Sequence, residues 1–391
     1  MNPAHLDRTL RDAVCEQCHL KGEVRVERAG RKELDYRPGL PLHEFLSVFF
    51  SPEALAGKAR TVGHVEQMHA SRCFRQSGGR LGCISCHDPH GIPAVGEKIA
   101  FYRGRCLECH ADKGCTLPQA ERLRRDHDDS CIGCHMPRVP SEDIAHTAIT
   151  IHEIPRNAAE ALAAHDDESS ATSLEGTLVP FHEFPLGTQS QYDLNRDLGI
   201  ALSRVGLANR GRPGATRMVR KALPLLDDAL KDRPGDLAAL EAKAVALWLS
   251  GQPEPASEVL ANALTIAPER QTLLQLGASL AANLGRRQQA ILLSQRAVAL
   301  GGTSSEIYWQ LAELLAQDRQ WDAAAQWLRE GLRLNPTLEP ARKLLIQCYL
   351  ESQRIEPATT EFATLVKLEP LKKDALLRWF EEQKTGLGRA K

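Results

Sequence analysis

Histidine is absent beyond residue 182 of this 391-residue chain, and cysteine is nearly so beyond residue 134. All 14 histidines and ten of the 11 cysteines lie in the first half, leaving Cys348 alone in the second. A segment without those side chains offers few ligands to a transition metal, so metal or thiol chemistry belongs to the first half. Excess charge is missing too: 49 Lys and Arg face 50 Asp and Glu, a net charge of −1, and no cluster of Lys and Arg marks a nucleic-acid binder. Aromatics make up only 5%. No run of roughly 18 or more apolar residues crosses a membrane, and the opening MNPAHLDRTLRD lacks the apolar stretch of a secretory signal.

What is present divides the chain in two. Ala222, Ala256, Ala290, Ala324 and Ala358 recur every 34 residues. Pro234, Pro268, Gly302, Pro336 and Pro370 follow in phase, as do Leu226, Leu260, Ser294, Leu328 and Phe362, then Ala229, Ala263, Ala297, Gly331 and Leu365. A small residue lets two antiparallel helices approach, a larger one fills the gap, and Pro or Gly ends the second helix. The pattern is similar to the tetratricopeptide repeat and implies about five repeats over 192–391, closed by a cap around Leu371 to Phe380. The GRPGA stretch at 211–215 lengthens the turn of the first repeat. Such stacks dock peptides or proteins. Trp248, Tyr308, Trp309, Trp321 and Trp327 are the available aromatic anchors, although packing between helices accounts for most of them, and Cys348 reads as a buried small side chain.

The first half carries four segments of one form: Cys15-Glu-Gln-Cys18-His19, Cys83-Ile-Ser-Cys86-His87, Cys106-Leu-Glu-Cys109-His110 and Cys131-Ile-Gly-Cys134-His135. CxxCH is the attachment sequence of c-type haem, in which two thiols form thioethers and the next histidine binds the iron. Zinc held by Cys83, Cys86, Cys106 and Cys109 is the competing reading, and a redox dithiol a third. Neither explains a histidine after the second cysteine four times in four. Four porphyrins would also give an aromatic-poor, loop-rich half the apolar core it lacks, and the cofactor-free chain should then be largely unfolded there.

Beyond the proximal His19, His87, His110 and His135, ten histidines remain as possible second ligands. His90, in CHDPH, suits a neighbouring iron. His146 and His152, in HTAITIHEIPR, lie where the chain can fold back over the motifs. His64 precedes Cys73, and His43, in PLHEF, is a weaker candidate. His5, His69, His127, His165 and His182 are read as surface or hydrogen-bonded side chains. Met68 and Met136 are thioether donors in principle. Cys73 and Cys115 stand outside the motifs, and an oxidising compartment would favour pairing them.

Taken together, SRCF…GGRLGCISCHDPHG, CLECHADKGC, CIGCHMPR and HTAITIHEIPR resemble a bacterial family of multihaem c-type cytochromes with a tetratricopeptide tail, whose haem part is similar to the tetrahaem cytochromes of nitrifying bacteria. The resemblance implies haem c as cofactor, a redox role and export to the periplasm or beyond. Haem attachment of this kind takes place outside the bacterial cytoplasm, so a leader and further haem-binding sequence are expected upstream of residue 1.

The expected fold is mostly α: a loop-rich tetrahaem domain over 1–156, a linker over 157–191 and an all-α tetratricopeptide domain over 192–391. The expected function is electron transfer, with the repeat docking a redox partner protein. The alternative is an oxidoreductase acting on a small nitrogen or sulfur compound at one open haem, with Arg72, Arg75, Arg103 and Arg105 as a cationic pocket. A third reading makes the repeat a scaffold and the haems redox sensors.

Overall fold

The computed structural model describes residues 2–52, 63–111, 114–126, 128–140, 148–157, 159, 177–182, 191–301 and 304–386. Two compact units divide the chain, residues 1–232 and 233–391.

In the first unit, α1 (Arg8–His19) is capped by the Asp7 carboxylate, which accepts from the Leu10 amide at 3.1 Å. An antiparallel pair follows, β1 (Val24–Glu27) and β2 (Leu46–Phe50), with Val24 opposite Phe49 and Glu27 opposite Leu46. A third strand, β5 (Val179–Pro180), pairs with β2 from the far side, Phe50 opposite Val179. Part of the 157–191 segment thus completes a sheet. All five residues of β2 are buried, which is why Leu-Ser-Val-Phe-Phe does not alternate. Leu20, Leu42, Phe45, Leu46, Val48, Phe50 and Val65 form the core beside it.

Short helices carry the rest of the CxxCH half: α2 (His64–Ala70), α3 (Arg72–Gln76), α4 (Cys83–Cys86), α5 (Lys98–His110), α6 (Gln119–Arg125) and α7 (Cys131–His135). A two-stranded hairpin, β3 (Arg138–Pro140) with β4 (Ala148–Thr150), then returns the chain. The unit ends in one helix pair, α8 (Gln191–Ala208) and α9 (Ala215–Asp232). Gly206 lets the two close up, since a Cβ there would fall 2.4 Å from Val219 Cγ1.

Helix α8 is bound to the sheet by buried charge. Asp197 is 1% exposed and takes hydrogen bonds from Ser47 Oγ (2.7 Å), Arg196 Nη1 (2.7 Å) and Arg28 Nη1 (3.3 Å). Arg196 and Arg204 reach the β1 carbonyls of Glu27 (2.8 Å) and Arg25 (2.9 Å). The first helix pair of the repeat therefore belongs to the same compact unit as the sheet.

The second unit stacks four helix pairs. They are α10 (Leu237–Leu249) with α11 (Pro253–Ile266), α12 (Gln271–Asn283) with α13 (Arg287–Ala299), α14 (Ser305–Gln317) with α15 (Trp321–Leu334), and α16 (Glu339–Glu351) with α17 (Ile355–Leu368). A last helix, α18 (Lys373–Gly386), covers the end, with Phe380 stacked on Phe362 at 4.2 Å. The in-phase alanines at 256, 290, 324 and 358 are all 0% exposed, as is Ala222 in α9. Close approach of helices at those positions is what the 34-residue period encodes, and the architecture is that of a tetratricopeptide-type helical repeat.

A second register of the same period lies in the turns. Gly251, Gly285, Arg319 and Gln353 all have positive φ, at 80°, 72°, 58° and 59°. Each donates to the carbonyl three residues back, and the following residue donates to the one five back, as Gln252 does to Leu247 (3.0 Å) and Arg354 to Tyr349 (2.7 Å). These are four Schellman caps in one phase.

Candidate haem-attachment site

Each CxxCH segment lies on a helical turn, or ends one, so its cysteines at i and i+3 share a face; the histidine at i+4 joins them in the first, third and fourth motifs, whereas His87 follows its helix in extended backbone. Geometry then brings the turns together in pairs. Cys83 donates to Cys15, which holds the Cys15 thiol below its ordinary pKa and pushes Cys83 up. Cys106 lies in hydrogen-bond contact with Cys131, and burial lifts Cys106 to about 11. Among the described residues no three His, Cys, Asp or Glu side chains converge as a metal site.

The first and second motifs share a row of imidazoles. His19 and His64 approach with Nδ1 atoms 3.2 Å apart, His64 and His152 have ring centroids 4.4 Å apart, and His152 and His87 are 6.2 Å apart at 26°. Burial lowers the pKa of His64 and His87 and takes His152 down to about 4, so all three present neutral nitrogen.

Local structure fixes this row. Glu66 on α2 accepts from the amides of Lys21 (3.0 Å) and Gly22 (2.8 Å), tying the end of α1, and His19 with it, to the helix of His64. Gly22, at φ +61°, is needed there because a Cβ would meet Val48 Cγ1 at 2.4 Å. The β3–β4 hairpin carries His152 back, and Gln67 Oε1 accepts from the His152 amide at 2.7 Å. His152 Nδ1 is 2.8 Å from the Thr150 carbonyl and His135 Nδ1 is 2.9 Å from that of Pro155. A ring whose Nδ1–H donates to a carbonyl keeps the lone pair of Nε2 available, the arrangement that metal-bound histidines adopt.

Other candidates fall elsewhere. His90 is exposed beside Asp88 (3.8 Å). His146, with His127 and His165, lies outside the described residues. His43 stands 5.6 Å from His182, which is itself 3.3 Å from Glu16 Oε2, on the sheet side of α1. His69 stacks on Phe74 at 3.9 Å, and burial takes it to about 4. His182 and Glu16 are an acid–histidine contact that no spacing announced, since they are far apart in sequence. Met68 is buried on α2 and Met136 directly follows α7.

Cys73 and Cys115 are free thiols. The pairing expected between them is not formed. The four arginines form no single pocket either. Arg103 is bound to Asp129 (2.8 Å), Arg105 pairs with Glu108 (3.3 Å) and lies over Phe101, while Arg72 and Arg75 are exposed on α3. In the second unit Tyr308, Trp309, Trp321 and Trp327 pack partly buried against the helical core, and Cys348 is fully buried.

Beneath the second, third and fourth motifs an ordinary core is missing. Among the described residues no apolar side chain between Met68 and Val139 is buried, although α4 to α7 are formed there. Ile92 and Val95 are 94% and 95% exposed. Ordering a residue costs about 1–2 kcal/mol, which folded chains offset by burying side chains worth about 1.5–3 kcal/mol each. A large apolar group held by the cysteines fits that deficit, and the thiol and imidazole donor set fits covalent haem.

No family model matches the chain, and no curated protein matches it. Solved structures similar to part of it include MamA (19% identity over 40% of this chain and 92% of that one, TM-score 0.38). MamA 41-end from Desulfovibrio magneticus RS-1 is another (17%, 47% and 98%, TM-score 0.40), as is a MamA RS-1 ArsTM double mutant (16%, 48% and 98%, TM-score 0.41).

Proposed function

We propose that the chain is an exported multihaem c-type cytochrome that transfers electrons through four covalently held haems and docks its redox partner protein through the helical repeat. The observation that carries this reading is the helical segment between Met68 and Val139, which holds three CxxCH turns over no buried apolar side chain among the described residues. When bound, haem c supplies reversible one-electron chemistry. Cys15 and Cys18, Cys83 and Cys86, Cys106 and Cys109, and Cys131 and Cys134 hold it, with His19, His87, His110 and His135 as proximal ligands. His64 and His152 serve as second ligands toward the first two motifs. Their neutral rings and the committed Nδ1 of His152 support that role. His90, His146 and His43 rest on the sequence for that role, since His90 is exposed beside Asp88, His43 stands against His182 and His146 lies outside the described residues.

Two strong protein ligands on an iron favour electron transfer over substrate chemistry. The test is a covalent haem count by mass, paired with quantified ferric EPR, on chain exported and matured with haem. Four haems and low-spin signals throughout are expected. No covalent haem would overturn the reading. One haem's worth of high-spin signal would move the function to the oxidoreductase reading, at an open iron.

A further inference from the structure

We propose that Asp129 is a positioning residue, bridging Arg103 and Arg122 so as to hold the third and fourth CxxCH turns together and set the field around both. The inference rests on the cytochrome reading, and the experiment below separates failure of the two.

Asp129 stands two residues before Cys131, Arg103 three before Cys106 on the same helix, and Arg122 on the helix between. Its carboxylate takes a two-pronged grip from Arg122, Nε to Oδ1 at 2.7 Å and Nη2 to Oδ2 at 3.1 Å. Arg103 Nη1 adds 2.8 Å to Oδ2 and 3.1 Å to the Asp129 carbonyl. The remaining prong of Arg122 reaches the Leu117 carbonyl at 2.9 Å. Forked guanidinium–carboxylate contacts of this kind fix direction as well as distance. They hold the Asp129 carboxyl down to about 2.

The backbone agrees with a demanding role. Asp129 is one of four non-glycine residues with positive φ among those described, at 49°, although a glycine would sit there without strain. The next residue, Ser130, caps α7 by accepting from the Gly133 amide at 3.1 Å. The clamp therefore feeds directly into the turn that carries Cys131, and that cysteine meets Cys106. In a segment without buried apolar side chains, this ion cluster ties α5, α6 and α7 by geometry that packing does not provide.

The cluster also carries charge: two guanidiniums and one carboxylate. Removing the carboxylate leaves uncompensated positive charge beside both turns, which disfavours the oxidised state of a nearby iron and raises its potential. Removing one guanidinium does the reverse.

The experiment compares haem-matured full-length Asp129→Asn, Arg103→Gln and a control, Glu121→Gln, which removes a partly exposed carboxylate on α6 that pairs with Arg125 and not with the clamp. Each is titrated by optical redox potentiometry with ferric EPR. At a fixed poise near the midpoint, Asp129→Asn should raise the reduced-to-oxidised ratio of two haems by up to tenfold, or 59 mV for one electron, and Arg103→Gln should lower it. Glu121→Gln should leave it unchanged. The opposite signs separate electrostatic positioning from simple loosening, which would move both variants the same way. Equal titrations in all three, or shifts of one sign, overturn the proposal, and so does loss of haem from Asp129→Asn when Arg103→Gln titrates as wild type. Wild-type chain without covalent haem fails at the earlier step and takes the inference with it.

Discussion

Replacing Arg319 and Gln353 by glycine should stabilise the helical repeat, and the size of the effect follows from its turn register. Both residues are exposed, at φ 58° and 59°, in the position that Gly251 and Gly285 fill in earlier repeats. A side chain in the left-handed region costs about 1–2 kcal/mol. Glycine removes that cost but gives back about 0.5–1 kcal/mol of backbone entropy in the unfolded chain. The net gain is therefore roughly 0.5–1 kcal/mol per site, and about 1–2 kcal/mol for the pair, a whole repeat apart and so close to additive. For a unit of 159 residues this is about 2–8 °C in melting temperature. Thermal and urea unfolding followed by circular dichroism at 222 nm measures it. The reverse pair, Gly251→Ala with Gly285→Ala, should lose a similar amount. If Arg319→Gly and Gln353→Gly lower the midpoint, the strain assigned to these caps is not there.

Acid should loosen the first unit through His69. Burial against Phe74 and Phe181 keeps its ring neutral to about pH 4, whereas an unfolded histidine charges near 6.5. Between those values the unfolded chain binds the extra proton, so the contribution is whole above pH 6.5 and lost as pH falls toward 4. In urea titrations at stepped pH, His69→Phe should flatten that slope by up to ~1.4 kcal/mol per pH unit, and an unchanged slope would show that His69 is not the sensor. Asp197→Ala should destabilise the first unit by about 3–5 kcal/mol, because it takes the carboxylate from the buried Arg196 and leaves the half-buried Arg28 its longer contact with Asp193. A loss below 1 kcal/mol in the same assay would mean that water already serves those guanidiniums.

The second unit was legible because its chemistry repeats: small residues at helix crossings and Pro or Gly at helix ends recur with one period, and all the in-phase alanines are buried. The Schellman register was half visible. Gly251 and Gly285 announce it, but Arg319 and Gln353 conceal it, since a side chain that tolerates a turn leaves no mark in sequence. The CxxCH turns were legible in the same way, from adjacent residues acting as a unit. Partners set by tertiary folding were not. The sheet is not legible, because Leu46–Phe50 is a short run broken only by Ser47, which periodicity cannot separate from a helical turn. Of the second-ligand candidates, His64 and His152 reach the proximal row through Glu66, Gln67 and a hairpin, contacts 44 to 85 residues apart in sequence. His90 is as near its motif as any of them and remains beside Asp88.

The anchoring of α8 by Asp197 has a consequence for how this protein can be cut and recombined. Period alone places a join near residue 192, but a join there severs Ser47, Arg28 and the β1 carbonyls from the helix that satisfies them. The half left behind would expose the sheet face that α8 covers, and the excised repeat would keep Asp197 with Arg196 but without Ser47 and Arg28. Exchange of modules is cleaner after Asp232, where the compact unit ends. The first helix pair travels with the cysteines: shaped like a repeat, it is inherited as part of the unit that bears the four CxxCH segments.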